Sequence, residues 1–241
     1  MIKKVKRGEK LIHVKSVEDF MKISEIDRKV FHTVTLVIDN DIDFSNVKMS
    51  PIDAFGLNIV IRGANKGEGR RQVLRNITID NGNNLETGLF SKVRNLSVIN
   101  INLANASIKG GSCTGTLAGS VTENAIVKNC GFTGRVEAEA YSGALFGTVQ
   151  DLEIEDLICL GSVKAKDFVG GVAGVVNSIK VSNSHISTEV HSKGRSIGDI
   201  CGYNSEVQNQ IINDMLARTM PYMIDKGTPE EQELVRLITG R

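Results

Sequence analysis

Four acidic residues lie close together near the middle of the chain, and paired carboxylates are the groups that cleave glycosidic bonds. They are Asp151, Glu153, Glu155 and Asp156. Glu153 and Glu155 occupy alternate positions, so a strand would point both carboxylates to one outer face. Lys128 and Lys180 fall where they can pair with these carboxylates across neighbouring strands. We therefore expect charge pairing at these positions, no catalytic residue and no enzyme.

Two further motifs have the residue types of a ligand site but not the full pattern. Asp39, Asp41 and Asp43 alternate as calcium ligands would, without the glycine and terminal glutamate of a calcium-binding loop. The glycine-rich basic segment Gly63–Arg71 lacks the Gly-Lys-Ser/Thr ending of a phosphate-binding loop and precedes no helix pattern. We expect neither a metal nor a cofactor.

The four cysteines show no spacing typical of metal or redox chemistry. Cys113, Cys130, Cys159 and Cys201 include no Cys-x-x-Cys pair and have no histidine cluster nearby. Free cysteine behaves as a small apolar side chain, so the sequence predicts four buried thiols that pack inward.

Composition excludes several classes of partner. The 241-residue chain has a net charge of +1, so it has neither the field of a nucleic-acid binder nor the acidic surface of a DNA mimic. It has no tryptophan and three tyrosines, which argues against a sugar groove built on aromatic platforms. The basic N-terminal decapeptide lacks the apolar core of a secretory signal, and no segment has the length of a membrane span. We expect a cytoplasmic protein with no membrane or nucleic-acid partner.

A short glycine motif recurs through the centre of the chain. The motif is Gly-x-x-x-Gly with small or apolar residues between the glycines. Its copies are Gly115–Gly119, Gly143–Gly147, Gly170–Gly174 and Gly198–Gly202, preceded by a degenerate copy at 87–91. The last residues of successive copies are 28, 28, 27 and 28 residues apart. A constant period in this range predicts a stacked repeat array.

Each repeat contains short runs of alternating apolar and polar residues, which is the pattern of half-buried strands. The main runs are 96–100, 125–129, 152–156 and 179–183, and a shorter run follows each of the last three. Strands that return every 27 or 28 residues predict a parallel β-helix. We expect Asn100, Asn129, Asp156 and Asn183 to form a hydrogen-bonded stack, and the paired glycines to mark positive φ or close contact between coils. The repeat that contains Asn129 is one residue longer, which predicts a bulge or a loosened turn.

The repeats resemble the bacterial GLUG repeat, named for its Gly-Leu-apolar-Gly core and found in adhesins and some secreted peptidases. The N-terminal part resembles the segment that precedes such repeats. The matching residues are Val17–Phe20, Asp41–Phe44, Pro51–Ile52, Phe55–Gly56, Arg75–Ile79 and Gly88–Phe90, and the likeness covers residues 12 to 203. Ser91 departs from the pattern, because the closing glycine of the first copy belongs there. The resemblance implies a right-handed β-solenoid, in which the repeat is a scaffold without catalytic residues.

Helical patterns flank the repeats. Ser16–Asp19 has the form of a capping box and begins a short amphipathic segment, which predicts a helix over the N-terminal end of the solenoid. After the last repeat, Val207, Ile211, Met215 and Leu216 recur at helical spacing. The Thr-Pro-Glu-Glu sequence at 228–231 predicts a second C-terminal helix that begins after Thr228. We expect residues 1–203 to form the solenoid with its N-terminal cap, and residues 204–241 to form a helical cap or an assembly segment.

These features predict a non-enzymatic binding protein of the all-β class, a right-handed parallel β-helix with a short N-terminal helix and C-terminal helices. The expected partner is a protein, held by a flat coil face or by the C-terminal helices, with Val207, Ile211, Met215 and Leu216 as candidate contacts. Homo-oligomers through those helices are a further possibility. An intracellular inhibitor or adaptor from a phage or mobile element fits this description. The alternatives are a glycan-active or glycan-binding protein, which two carboxylates at hydrolase separation would favour, and an adhesin or tail-fibre fragment.

Overall fold

The computed structural model describes residues 8–64, 71–194 and 196–206, and within them the chain is a parallel β-solenoid of about seven turns. The described solenoid forms one compact unit that ends at Tyr203. In chain order its elements are β1 (Glu9–Val14), α1 (Val17–Met21), a 3₁₀ turn (Lys22–Glu25), β2 (Thr33–Ile38), β3 (Ile42–Asp43), β4 (Ile52–Gly63), β5 (Gln72–Arg75), β6 (Thr78–Asp80), β7 (Glu86–Thr87), β8 (Phe90–Ile99), β9 (Ile101–Lys109), β10 (Cys113–Thr114), β11 (Ala118–Glu137), β12 (Ala140–Ser142), β13 (Phe146–Lys164), β14 (Asp167–Gly170), β15 (Ala173–Ser182), β16 (His185–His191), β17 (Ile197–Gly198) and β18 (Cys201–Asn204).

The strand register confirms the repeat period. Phe90 pairs with Ala118, Ala118 with Phe146, and Phe146 with Ala173, all in parallel ladders. Equivalent side chains therefore lie above one another in columns along the solenoid. Most inward columns are apolar and form one continuous core, in which Phe90 and Phe146 are completely buried. One buried column is polar and contains Thr87, Thr114 and Ser142.

Strands β11 and β13 each bend around a corner of the coil and so belong to two faces. The bends lie at Asn129 and Asp156, whose φ angles are 49° and 54°. The first face includes β1, β2, β4, β8, β15 and the parts of β11 and β13 before the bend. The second face includes β5, β6, β9, β16 and the parts of β11 and β13 after the bend. Asparagine and aspartate suit these corners because they tolerate the left-handed region better than most residues.

The paired glycines allow neighbouring coils to come into close contact. The other predicted role, a backbone with positive φ, is wrong for them. A methyl carbon added at Gly147 would lie 2.5 Å from the Gly119 carbonyl oxygen and 2.6 Å from the Thr114 nitrogen. Positive φ angles in the described repeats fall at other residues, including Tyr141 at 45° and Phe168 at 54°. The second glycine of the motif is therefore required because the backbone of a neighbouring segment fills the space of a side chain.

The predicted bulge and N-terminal helix are confirmed. The β11 register shifts between Val121 and Asn124, where the longer repeat adds its extra residue. Ser16 caps α1, since its hydroxyl accepts a hydrogen bond from the Asp19 backbone nitrogen. Phe20 then reaches the core and packs edge-to-face on Phe44, with ring centroids 5.6 Å apart. The predicted C-terminal helices lie outside the described residues.

Candidate functional site

Glu153 and Glu155 on the first face, here called the acidic row, form ion pairs with Lys128 of the preceding coil, as the sequence indicated. The Lys128 ammonium lies 2.7 Å from Glu153 Oε1 and 3.0 Å from Glu155 Oε2. Hydrogen bonding to Lys128 lowers the pKa of Glu153, and the nearby charge of Lys180 acts in the same direction. A glycosidase needs one carboxylic acid that stays protonated, and a carboxyl whose pKa is lowered is a poor candidate. This pairing weighs against glycan cleavage at the row.

A ladder of amide side chains runs along the edge of the first face, and sequence analysis did not find it. Asn124 donates to Asn95 Oδ1 from both its backbone and side-chain nitrogens, at 2.9 and 3.0 Å. Asn95 donates in turn to Asn58 Oδ1 at 2.9 Å, and Asn58 to the Thr33 hydroxyl at 3.2 Å. The hydrogen bonds tie four successive coils together. Their sequence separations of 29, 37 and 25 residues differ from the repeat period, which hides the ladder in the sequence.

The end of this ladder opens into a polar cleft of about 490 Å³ on the first face. It crosses the coils of β8, β11, β13 and β15. Its lining is Asn95, Ser97, Asn124, Ala125, Ile126, Asp151, Leu152, Glu153, Ser178 and Lys180. Amide, hydroxyl, carboxylate and ammonium groups therefore converge around a floor that includes the half-buried Ile126. Such a surface can donate and accept hydrogen bonds with a polar ligand.

The second face carries a small apolar patch at outward positions of β13. Ile158 and Leu160 are 46% and 38% exposed, whereas their neighbours Leu157 and Cys159 point inward and are buried. These two exposed side chains lie two residues apart, so they lie on the same face of the strand. The equivalent outward positions on adjoining coils are polar or lack a side chain. They are Gly131 and His185 beside Ile158, and Thr133 and Ser187 beside Leu160.

The surroundings of the patch are polar. Gly131 contributes no side chain on the preceding coil, and the Asn102 amide fills the space where one would lie, 2.5 Å from the position of an added carbon. Arg135 lies one outward position farther along β11, exposed, and donates from Nε to the Ser107 hydroxyl at 3.2 Å. Glu189 occupies the same column on β16 and is also exposed. An apolar centre with a charged rim is the usual anatomy of a protein interface.

The cysteines divide into two groups, so the prediction of four buried thiols is only partly confirmed. Cys130 and Cys159 are buried in the core, and burial raises the pKa of each thiol to about 11. Cys113 and Cys201 are half-buried, since they lie at a coil corner and near the end of the described solenoid. Burial raises the pKa of these two thiols as well. A raised pKa makes a thiol a weak nucleophile at neutral pH.

The aspartates that resembled calcium ligands have separate protein partners. Asp39 lies 3.1 Å from His13 Nδ1, and Asp41 accepts a hydrogen bond from the Val73 nitrogen at 3.0 Å. Asp43 accepts from the Asn76 amide at 2.9 Å. Within the described ranges, no group of three or more His, Cys, Asp or Glu side chains is arranged to hold a metal ion. Residues 65–70 of the glycine-rich loop lie outside those ranges.

The sequence candidates for partner binding, Val207, Ile211, Met215 and Leu216, also lie outside the described residues. No helix in the described part of the chain combines the length and hydropathy that a membrane span requires. Comparison of the chain with protein-family models, with curated proteins and with solved structures gave no match. The likeness to GLUG repeats therefore stays a prediction from the sequence motifs.

Proposed function

We propose that this chain is a right-handed β-solenoid that works as a non-enzymatic binding protein and recognises a protein partner through the second face. The observation that carries the proposal is the exposure of Ile158 and Leu160 at outward positions where adjoining coils carry polar side chains or glycine. Apolar side chains that cluster on an otherwise polar surface are typical of protein contacts. A cytoplasmic location and an origin on a phage or other mobile element belong to the same hypothesis.

The geometry of the second face suits docking of a folded partner. Inward positions of β13 fix the backbone, because Leu157 and Cys159 are packed in the core. Ile158 and Leu160 are therefore held on a rigid strand and can form the apolar centre of an interface at little cost in conformational entropy. Arg135 and Glu189 supply charges of both signs at the rim, where they would select the orientation of the partner.

Capture of partner proteins by variants tests the proposal. The tagged full chain would be cross-linked in a lysate of the source cells, alongside Ile158→Ser/Leu160→Ser. Adjoining coils carry Thr133 and Ser187 in the column of Leu160, so serine there suits the fold. The matched control is Leu85→Ser, which removes an apolar side chain that is 70% exposed away from the patch.

The proposal expects one protein that the wild type and the control capture and the double variant loses. Capture by all three proteins would overturn the role of the second face. A fourth variant replaces Val207, Ile211, Met215 and Leu216 with serine. Loss of capture in this variant alone would assign recognition to the predicted C-terminal helices.

A further inference from the structure

The amide ladder on the first face ends at Asn124, because the next coil carries an aspartate in place of an asparagine. Asn124 occupies the same column as Asp151 of the next coil, and Asp151 precedes Ser178 in that column. An aspartate carboxylate can only accept hydrogen bonds, so it cannot donate to Asn124 Oδ1 as another asparagine would. Two acceptors therefore adjoin on neighbouring coils, and no described residue donates a hydrogen bond to either.

The same cleft contains donors that the described structure leaves available. Ser97 and Ser178 make no side-chain hydrogen bond to any described residue. Lys180 acts on Glu153 through its charge, but it forms no ion pair with a described carboxylate. The half-buried side chain of Ile126 lies between Ser97 and Glu153, in the column beside that of Asn124 and Asp151.

The geometry points to a neutral oligosaccharide as the ligand of this cleft, a site formed by different residues from the apolar patch of the second face. Vicinal hydroxyl groups both donate and accept, so a sugar ring can satisfy Asp151 and Asn124 while it accepts from Lys180 and the serines. The apolar face of a sugar ring can lie on Ile126. Four coils at a strand spacing of about 4.8 Å extend the cleft to roughly 14 Å, the scale of a short oligosaccharide.

Three other ligand classes fit less well. An extended peptide binds a sheet by adding a strand to an open edge, whereas the cleft lies over strands β11 and β13, whose backbones are paired on both sides. A strongly anionic ligand would face the carboxylates of Asp151 and Glu153. A strongly cationic ligand would face Lys180.

Binding of the full-length protein to an array of neutral and anionic oligosaccharides tests the site, followed by titration calorimetry with the neutral oligosaccharide that binds best. The test variant is Asp151→Asn, in which the new amide can donate to Asn124 and extend the ladder. The matched control is Asp156→Asn, which makes the same change of charge on the same coil, at a corner where other coils carry asparagine. Lys180→Ala is a second test variant that removes an exposed side chain.

The wild type and Asp156→Asn should bind the same neutral oligosaccharide. Asp151→Asn and Lys180→Ala should each weaken the affinity about tenfold, the usual effect of losing one hydrogen bond to a charged group. Circular dichroism confirms that each variant is folded. Failure of the wild type to bind any neutral oligosaccharide, a preference for anionic ones, or equal binding by both test variants would overturn the proposal.

Discussion

Asn129 donates a 2.7 Å hydrogen bond from Nδ2 to Asn100 Oδ1 across one coil of the solenoid, and both residues have left-handed backbones. The pair combines the two reasons for asparagine at this corner. Its backbone tolerates positive φ, and its amide both donates and accepts, so each asparagine can bond to the next.

Substitution of Asn129 separates these two contributions. Asn129→Ala should lower the free energy of unfolding by about 3 kcal/mol, because it loses the hydrogen bonds to Asn100 and from Arg71 and places alanine in the left-handed region. Asn129→Gly should cost about 2 kcal/mol, because it loses the same two bonds but glycine adopts that region freely. Urea unfolding of both variants measures the difference. Equal losses would show that backbone conformation does not determine the residue at this corner.

The second glycine of the repeat motif should be the least replaceable residue of a coil. Gly147→Ala should lower the free energy of unfolding by about 3 kcal/mol or more, because the added carbon meets backbone atoms of neighbouring segments, which cannot turn away. The control is Gly82→Ala, at a φ of 58° with no atom within 4 Å, for which we expect about 1 kcal/mol. Thermal and urea unfolding test the ranking, and a larger loss in Gly82→Ala would contradict it.

These two features show how much of the fold the sequence predicts. The glycine period and the alternating runs identify the solenoid, because every coil repeats the same spacing of inward side chains. The extra residue before Asn129 locates the bulge for the same reason. The predicted polar stack is only partly present among the described residues, since Asp156 makes no side-chain bond to Asn129. A carboxylate cannot donate, and a pattern that treats Asn and Asp alike misses this difference.

The candidate surfaces were harder to predict for two physical reasons. The ladder from Thr33 to Asn124 passes through coils of unequal length, so its members do not share a period. The patch consists of Ile158 and Leu160, and the inward residues between and before them are also apolar or cysteine. The sequence there therefore does not alternate between apolar and polar residues, and alone it does not show which side chains are exposed. The sequence of the adjoining coils does distinguish these two residues, because the outward positions of those coils are polar or glycine. Which positions point outward depends on the corner at Asp156, however, and the sequence pattern did not locate that corner.

The ion pairs of Lys128 predict how stability depends on pH. Since Lys128 lowers the pKa of Glu153 below its usual value of 4.5, the pairing stabilises the fold above that value and is lost as pH falls through the lowered pKa. Lys128→Met should therefore be less stable than the wild type at pH 7, and the difference should shrink at pH 3. Urea unfolding at both values measures it. A difference that is unchanged by acid, or by 1 M salt at pH 7, would contradict the electrostatic explanation.

The cysteines should react with alkylating reagents in two classes. Burial raises the pKa of Cys130 and Cys159 to about 11, so few thiolates form at pH 8 and the reagent has little access. Iodoacetamide should label the half-buried Cys113 and Cys201 first, and all four at similar rates after unfolding in urea. Mass spectrometry of peptides gives the order. Native labelling of Cys130 or Cys159 as fast as Cys113 would contradict the described burial.

The most direct test of protein recognition is the affinity of the purified partner, once captured, for the wild type and for Ile158→Ser/Leu160→Ser. Hot-spot side chains at the centre of an interface cost about 2 kcal/mol or more each when they are truncated, so we expect the dissociation constant of the double variant to rise about a thousandfold. Leu85→Ser should bind as the wild type does. Equal affinities for the wild type and the folded double variant would contradict recognition through the second face.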